Sequence, residues 1–314
     1  MSKNIPTRDG FGKELVEIGK VNDRVVVVSA DLEDATRAEY FKEAFPKRFF
    51  NVGIAEQDMI GMAAGLSLQG FVPVASSFAV FLTNRAYDMI RMDICYNERN
   101  VKLVCSHAGL NVGEDGASAQ CLEDLAIMRV LPNMRVICPA DSLEAAKATR
   151  QMIAKSGPMY LRTSRAPFPV ITTEEDPFII GTANVMRDGR DVTLIGCGLM
   201  VYESLQAAEL LAREGIEARV LNMHTIKPID TAAIEKAAKE TGAIVTAEEH
   251  QIYGGLGSAV AEVVIQNVPV PQEMVEVADC FGETGTPEQL LVKYHLKAAD
   301  IAAAAKKAIR RKAA

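Results

Sequence analysis

The chain has 314 residues, 49% of them hydrophobic and 24% charged, with a formal net charge of −7. That length exceeds one average domain and sets two as the expectation, and the composition is that of a globular protein. The acidic balance, with no basic stripe, argues against a nucleic-acid partner, and no apolar run reaches membrane-spanning length.

In chain order, the stretch from Met1 to Asp9 lacks the apolar core of a signal peptide, so a cytoplasmic protein is expected. Arg8 precedes a predicted helix over 12–20. The β-branched run at 25–30 reads as a strand buried on both faces, as in a parallel sheet, and ends at Asp31. Thr36 and Glu39 have the spacing of a capping box for the next helix. A further helix is predicted from Ile54, with Glu56 in its first turn. On it Gly61, Ala64 and Gly65 form a small-residue stripe that lets another helix approach closely. Strand 72–76 leads to Phe78 and Phe81 and a helix over 81–96. Strand 101–106 leads to His107 and a polar, glycine-bearing loop ending at Gln120. Helix 122–130, strand 134–138, a helix from the Asp141 and Glu144 capping box to 154, and strand 159–162 complete a first unit, 1–166. Pro167, Pro169 and Pro177 interrupt the periodicity and predict a linker over 167–190. Alternation resumes in a second unit, 191–314. Its strands are predicted at 192–196, 218–223, 243–247 and 274–277, and its helices at 202–214, 231–240, 257–266, 287–293 and 301–314. The pattern predicts an α/β protein of two doubly wound, mainly parallel-sheet domains. Ligands of such sheets bind beyond the carboxyl ends of the strands. Asp31, the segment from Ser76 to Phe81, His107 and Arg165 all fall there.

Several groups invite chemical readings. The six cysteines show no CxxC pairing and read as reduced core thiols, with no zinc site expected. Gly254, Gly255 and Gly257 before a helix read as a tight turn, or as an anion site at a helix start. Of the four histidines, His107 is the functional candidate, and His224, His250 and His295 are expected to be structural. Glu56 has two readings. It complements the helix dipole, or it is a carboxyl in apolar surroundings, pushed toward its protonated form and able to hydrogen-bond a ring nitrogen. Phe78 and Phe81 are either core or a stacking surface for a planar ring.

The line Asn51-Val52-Gly53-Ile54-Ala55-Glu56-Gln57, followed by Gly61-Met62-Ala63-Ala64-Gly65, resembles the pyrimidine-domain signature of the transketolase family of thiamine diphosphate enzymes. The resemblance extends over nearly the whole chain, matching the C-terminal half of transketolase or the C-terminal subunit of a split one. It implies that Glu56 holds N1′ of the aminopyrimidine and favours the tautomer that takes the proton from the thiazolium C2. It implies a stacking role for Phe81, with Phe78 nearby, and places Asp31 near the cofactor. Arg8, His107 and Arg165 are implied as ligands of substrate phosphate, and Asp115 as a contact to a sugar hydroxyl. Three positions depart from the family: Ala119 replaces a channel histidine, Ala35 a phosphate-binding serine, and Asn84 lies where an aromatic is expected. These point to a ketose phosphate other than the ordinary pentose pair. The chain lacks the Gly-Asp-Gly…Asn pattern that holds magnesium diphosphate, so Mg2+ and its ligands are expected from an N-terminal partner subunit, with self-pairing within a heterotetramer. The alternatives are the β-type subunit of a 2-oxo acid dehydrogenase E1 component and a non-catalytic transketolase-like scaffold.

Overall fold

The computed structural model describes residues 3–312. Residues 1, 2, 313 and 314, the ends of the expected first unit and last helix, lie outside the described residues. The chain begins with β1 (Asn4–Ile5), α1 (Thr7–Val21), β2 (Val25–Ser29), α2 (Glu33–Thr36), α3 (Glu39–Ala44), β3 (Phe49–Asn51) and α4 (Glu56–Leu68). Then come β4 (Val72–Phe78), α5 (Ala79–Arg85), α6 (Tyr87–Met89), a π-helical stretch at Ile90–Tyr96, β5 (Lys102–Ser106) and a 3-10 segment at Leu110–Asp115. α7 (Asp124–Arg129), β6 (Arg135–Ile137), α8 (Ser142–Ala154) and β7 (Met159–Arg162) follow. The second half holds β8 (Phe168–Pro169), β9 (Asn184–Arg187), β10 (Val192–Gly196), α9 (Met200–Ala212), β11 (Ala218–Asn222), β12 (Thr225–Lys227) and α10 (Thr231–Thr241). It ends with β13 (Ile244–Gln251), α11 (Leu256–Asn267), β14 (Gln272–Val277), α12 (Pro287–Lys293) and α13 (Ala298–Lys312).

Both large sheets are mainly parallel, as expected. One has the order β12-β6-β7-β5-β4-β2-β3 and the other β14-β13-β10-β11-β9. Among the described residues, only the edge strands β12 and β9 run antiparallel to their neighbours in these sheets. The valines of β2 show why a continuous apolar run fits here. Val25 and Val27 join one core with Phe11 and Leu15 of α1 and Met152 of α8, while Val28 joins another with Met59 and Ile60 of α4. Alternate residues therefore feed opposite faces, and helices cover both.

Several local expectations are corrected. Thr36 does not cap α3. It ends α2, its hydroxyl donates back to the Leu32 carbonyl at 2.9 Å, and Arg37 at φ 69° separates the two helices. The helix expected over 81–96 starts earlier, at Ala79, and is broken at Ala86 before the π-helical stretch. Asp141 caps α8 as expected, accepting from the Glu144 N–H at 2.9 Å. The Glu144 carboxyl instead accepts from Ala140 N–H and the Asn222 amide, and burial pushes it up to about 8. The expected linker carries β8, paired with β1, and β9, paired with β11. β12, which no sequence signal announced, leaves the second half to join β6 in the first sheet. The Gly61 and Gly65 stripe has no atom within 4 Å of its ideal Cβ positions, so no helix among the described residues approaches it closely.

Candidate active site

Because β2, β4, β5 and β7 run parallel, their carboxyl ends share one edge of the first sheet. Two residues just past that edge, Asp31 (φ 62°) and His107 (φ 61°), adopt the left-handed backbone region. For residues with a Cβ this costs about 1–3 kcal/mol each and is concentrated at functional sites. His107 is buried, its Nδ1 lies 3.0 Å from the Ser106 hydroxyl, and its ring stacks on Phe78 at 3.7 Å. Phe78 stacks in turn on Phe81 at 5.5 Å, and the Arg85 guanidinium lies 4.1 Å over the Phe81 ring.

The same guanidinium reaches Glu56. Glu56 is the first residue of α4 and only 4% exposed, and Arg85 Nη1 donates to its two oxygens at 3.2 and 3.3 Å. Its surroundings are thus not purely apolar, which corrects the sequence reading. Arg85 was missed, although it lies four residues after Phe81 on one helical face, a spacing that pairs side chains.

A second group lies around His107. Burial pushes its pKa down to about 3, helped by the charges of Arg8, Arg165 and Arg37. Arg8 donates to the Ala35 carbonyl at 2.6 Å. Burial, then the charge of Arg37, hold its pKa below the usual value, and its Nε has no hydrogen-bond partner among the described residues. Arg37 Nε pairs with Asp9 at 2.9 Å. Arg165 donates to the Val112 carbonyl and pairs with Glu114 at 3.1 Å and Asp115 at 3.5 Å. Three guanidiniums around a neutral imidazole suit an oxyanion such as a phosphate, with forked donors that stay charged. Arg37 carries no motif in the sequence, and only the fold brings it here.

The structure therefore gathers Phe81, Phe78 and His107 in one stack, joins Glu56 to it through Arg85, and gathers Arg8, His107, Arg165 and Asp115 in one basic group. Asp31 is exposed at the same edge and accepts from the Asn51 amide at 3.1 Å rather than from any of these. Ala119 is buried, and Asn84 is exposed and donates to Glu123 at 3.0 Å. His224 is buried against Phe178, and the His250 ring nitrogen accepts from Ala126 N–H, but His295 is 82% exposed. Cys280 is exposed, while the other five cysteines are buried. The anion reading of the 254–257 turn is displaced by the chain's own carboxylate, since Gly257 N–H donates to Glu248 Oε1 at 2.9 Å. No helix among the described residues is long and apolar enough to cross a membrane.

Residues 3–169 match the family model of the transketolase pyrimidine binding domain, and residues 181–301 that of the transketolase C-terminal domain. The chain is 43% identical over 305 residues to the 6-deoxy-6-sulfo-D-fructose transketolase subunit of Clostridium sp. (strain MSTE9), covering 97% of this chain and 95% of that protein. It is 35% identical over 293 residues to one of the subunits of the apulose-4-phosphate transketolase of Phocaeicola vulgatus, covering 93% of this chain and 94% of that protein. A solved structure described as a split gene transketolase, inactive β4 tetramer, has a TM-score of 0.91 at 46% identity, covering 99% of this chain and 100% of that one. With both domain models matched in order and relatives above 40% identity aligned over nearly their whole length, the chain belongs to the transketolase family and carries its pyrimidine-binding and C-terminal domains.

Proposed function

We propose that the chain is the pyrimidine-binding and C-terminal subunit of a split, thiamine diphosphate-dependent transketolase that transfers a two-carbon ketol unit between sugar phosphates. The observation that carries the reading is the nearly buried Glu56 carboxyl joined through the Arg85 guanidinium to the Phe81 ring face, on the sheet edge that also gathers Arg8, His107 and Arg165. A flat heterocycle fits that pair. The Phe81 face already takes a planar group at 4.1 Å, and the Glu56 oxygens accept from a planar donor. The cofactor, when bound, supplies the electron-sink chemistry that side chains lack. Glu56 holds a ring nitrogen and controls its proton, and Phe81, backed by Phe78, sets the plane of the ring. Arg8, Arg165 and His107 hold the substrate phosphate, Asp115 meets a sugar hydroxyl, and Asp31 borders the cofactor side of the edge.

The reading takes Mg2+ and the diphosphate-binding domain from an N-terminal partner subunit, with two copies of this chain in a heterotetramer. The split-gene relative supports the need for a partner, since its tetramer of β chains alone is described as inactive. Relatives named for sulfofructose and apulose phosphate support a ketose other than the ordinary pentose pair. Ala119 and Ala35 point the same way, because Ala35 offers Arg8 only a carbonyl. A group of three arginines favours the doubly charged phosphate of a sugar phosphate over the single carboxylate of the 2-oxo acid of an E1-type dehydrogenase.

The test mixes the chain with its partner, thiamine diphosphate and Mg2+ and screens ketose phosphates. Glu56→Ala is expected to slow ketol transfer by about 10²–10⁴-fold, the range typical of one acid–base group. Transfer that survives this substitution, or full turnover by this polypeptide alone, would overturn the reading.

A further inference from the structure

The loop between β5 and α7 is held from the second domain. Asn111, buried in its 3-10 segment, donates twice to the buried Glu249 carboxyl of β13, from its backbone N–H to Oε1 at 2.8 Å and from Nδ2 to Oε2 at 2.9 Å. Gly109 allows this approach, for it stands at φ 83° and its ideal Cβ would lie 3.0 Å from Glu249 Oε1. Burial pushes the Glu249 carboxyl up to about 7 against the pull of Arg162 and Asn111. Two neighbouring contacts tie the same strand to the end of β7 and to the end of the loop. Arg162 Nη2 donates to the Glu249 carbonyl at 2.9 Å, and Gln251 N–H donates to the Leu122 carbonyl at 2.7 Å. Near the loop's end, Gln120 Nε2 donates to the Glu283 carbonyl at 2.9 Å and to the Gly113 carbonyl at 3.1 Å. What this grip fixes is the outer part of the loop, where the Val112 carbonyl, Glu114 and Asp115 all meet Arg165.

We propose that Glu249 is a positioning residue of the candidate site: through Asn111 it fixes the Leu110–Asp115 segment, and with it Asp115 and the Arg165 guanidinium, for an anionic sugar. The ligand in this statement rests on the proposed function; the fixing of the loop rests on the contacts alone. A carboxyl suits the task because both of its oxygens accept from Asn111. A glutamine of the same size keeps one acceptor and turns an NH2 group against a donor.

Hydrogen–deuterium exchange on the full chain tests the first half. In Glu249→Gln and in Asn111→Ala the amides of 109–116 exchange about ten-fold faster or more, while those of β2 and β4 do not change. The double variant adds nothing further, as expected for two ends of one contact. Unchanged exchange at 109–116 in Glu249→Gln overturns the proposal. The second half is read in the assembly with the partner subunit and cofactor. There Glu249→Gln raises KM for the ketose phosphate by about ten-fold with kcat within about two-fold, the pattern of lost binding, and Glu249→Asp recovers part of the loss. A loosened loop with an unchanged KM removes the positioning role. Absence of ketol transfer in the unmodified assembly would instead sink the proposed function, and the exchange arm would still decide whether Glu249 holds the loop.

Discussion

His107 is buried and lies in the combined field of Arg8, Arg165 and Arg37, which push its pKa down to about 3 and keep it neutral near pH 7. An anion held there takes its charge compensation from arginines and only a hydrogen bond from histidine. Arg37 is the member that no motif marks, and its contribution is testable. Arg37→Ala is expected to raise KM for the sugar phosphate about ten-fold, equivalent to about 1.4 kcal/mol, with kcat changed by less than about two-fold. Steady-state kinetics on the reconstituted assembly reads both, and an unchanged KM would remove Arg37 from the proposed anion subsite. At this scale the sequence was informative where a residue type is tied to a fixed spacing, as in the line around Glu56. It was silent on Arg37, which follows α2 in the left-handed region and pairs with Asp9, the neighbour of Arg8 on α1.

Helix α8 shows how one side chain links an element to a segment that lacks periodicity. Asp141 is fully buried, and Oδ1 caps α8 at Glu144 N–H and accepts from the Thr172 hydroxyl at 2.9 Å. Its Oδ2 accepts from the backbone N–H groups of Ile171 and Thr172 at 2.8 and 2.6 Å. The expected linker is therefore fastened to the first domain at its start. Asp141→Ala removes the cap and strands buried donors, so a loss of at least about 3 kcal/mol of unfolding free energy is expected. Urea denaturation followed by circular dichroism measures it, and a loss below about 1 kcal/mol would mean that water replaces the carboxylate. The spacing of Asp141 and Glu144 predicted the cap correctly, because capping is local. It misplaced the Glu144 carboxyl, which accepts from Ala140 N–H, not from the cap residue, and from Asn222, 78 residues away.

For the whole molecule, buried carboxyls shape the response to pH. Glu276 of β14 faces Glu248 of β13, and Thr246 donates to its Oε1 at 3.3 Å; His250 Nδ1 lies 3.9 Å from Glu248. Burial first, and then the Glu248 charge, push Glu276 up to about 10. Its folded pKa is raised, so the folded state binds the extra proton between the ordinary carboxyl value and about 10. Stability from this group is complete below the lower limit and is lost as pH rises through that window. Glu276→Gln keeps a donor for Glu248 and cannot ionise. Its Tm is expected to match the parent near pH 5 and to exceed it progressively toward pH 9, as read by thermal denaturation across pH. A constant Tm difference across that range would show that the pair does not share a proton.

The sequence by itself determined what local rules govern. Alternating strands and helices, apolar runs buried on both faces and the signature around Glu56 fixed the α/β class, the strand-end location of the candidate residues and the family. Tertiary structure decided what depends on distant partners. It set β12 of the second half beside β6 of the first sheet, turned the carboxylate of Glu248 into the occupant of the 254–257 turn, and laid Arg85 against both Phe81 and Glu56. Those outcomes follow from long-range packing and charge pairing, which hydrophobic periodicity does not encode because it records only which face of an element is buried, not what it meets there.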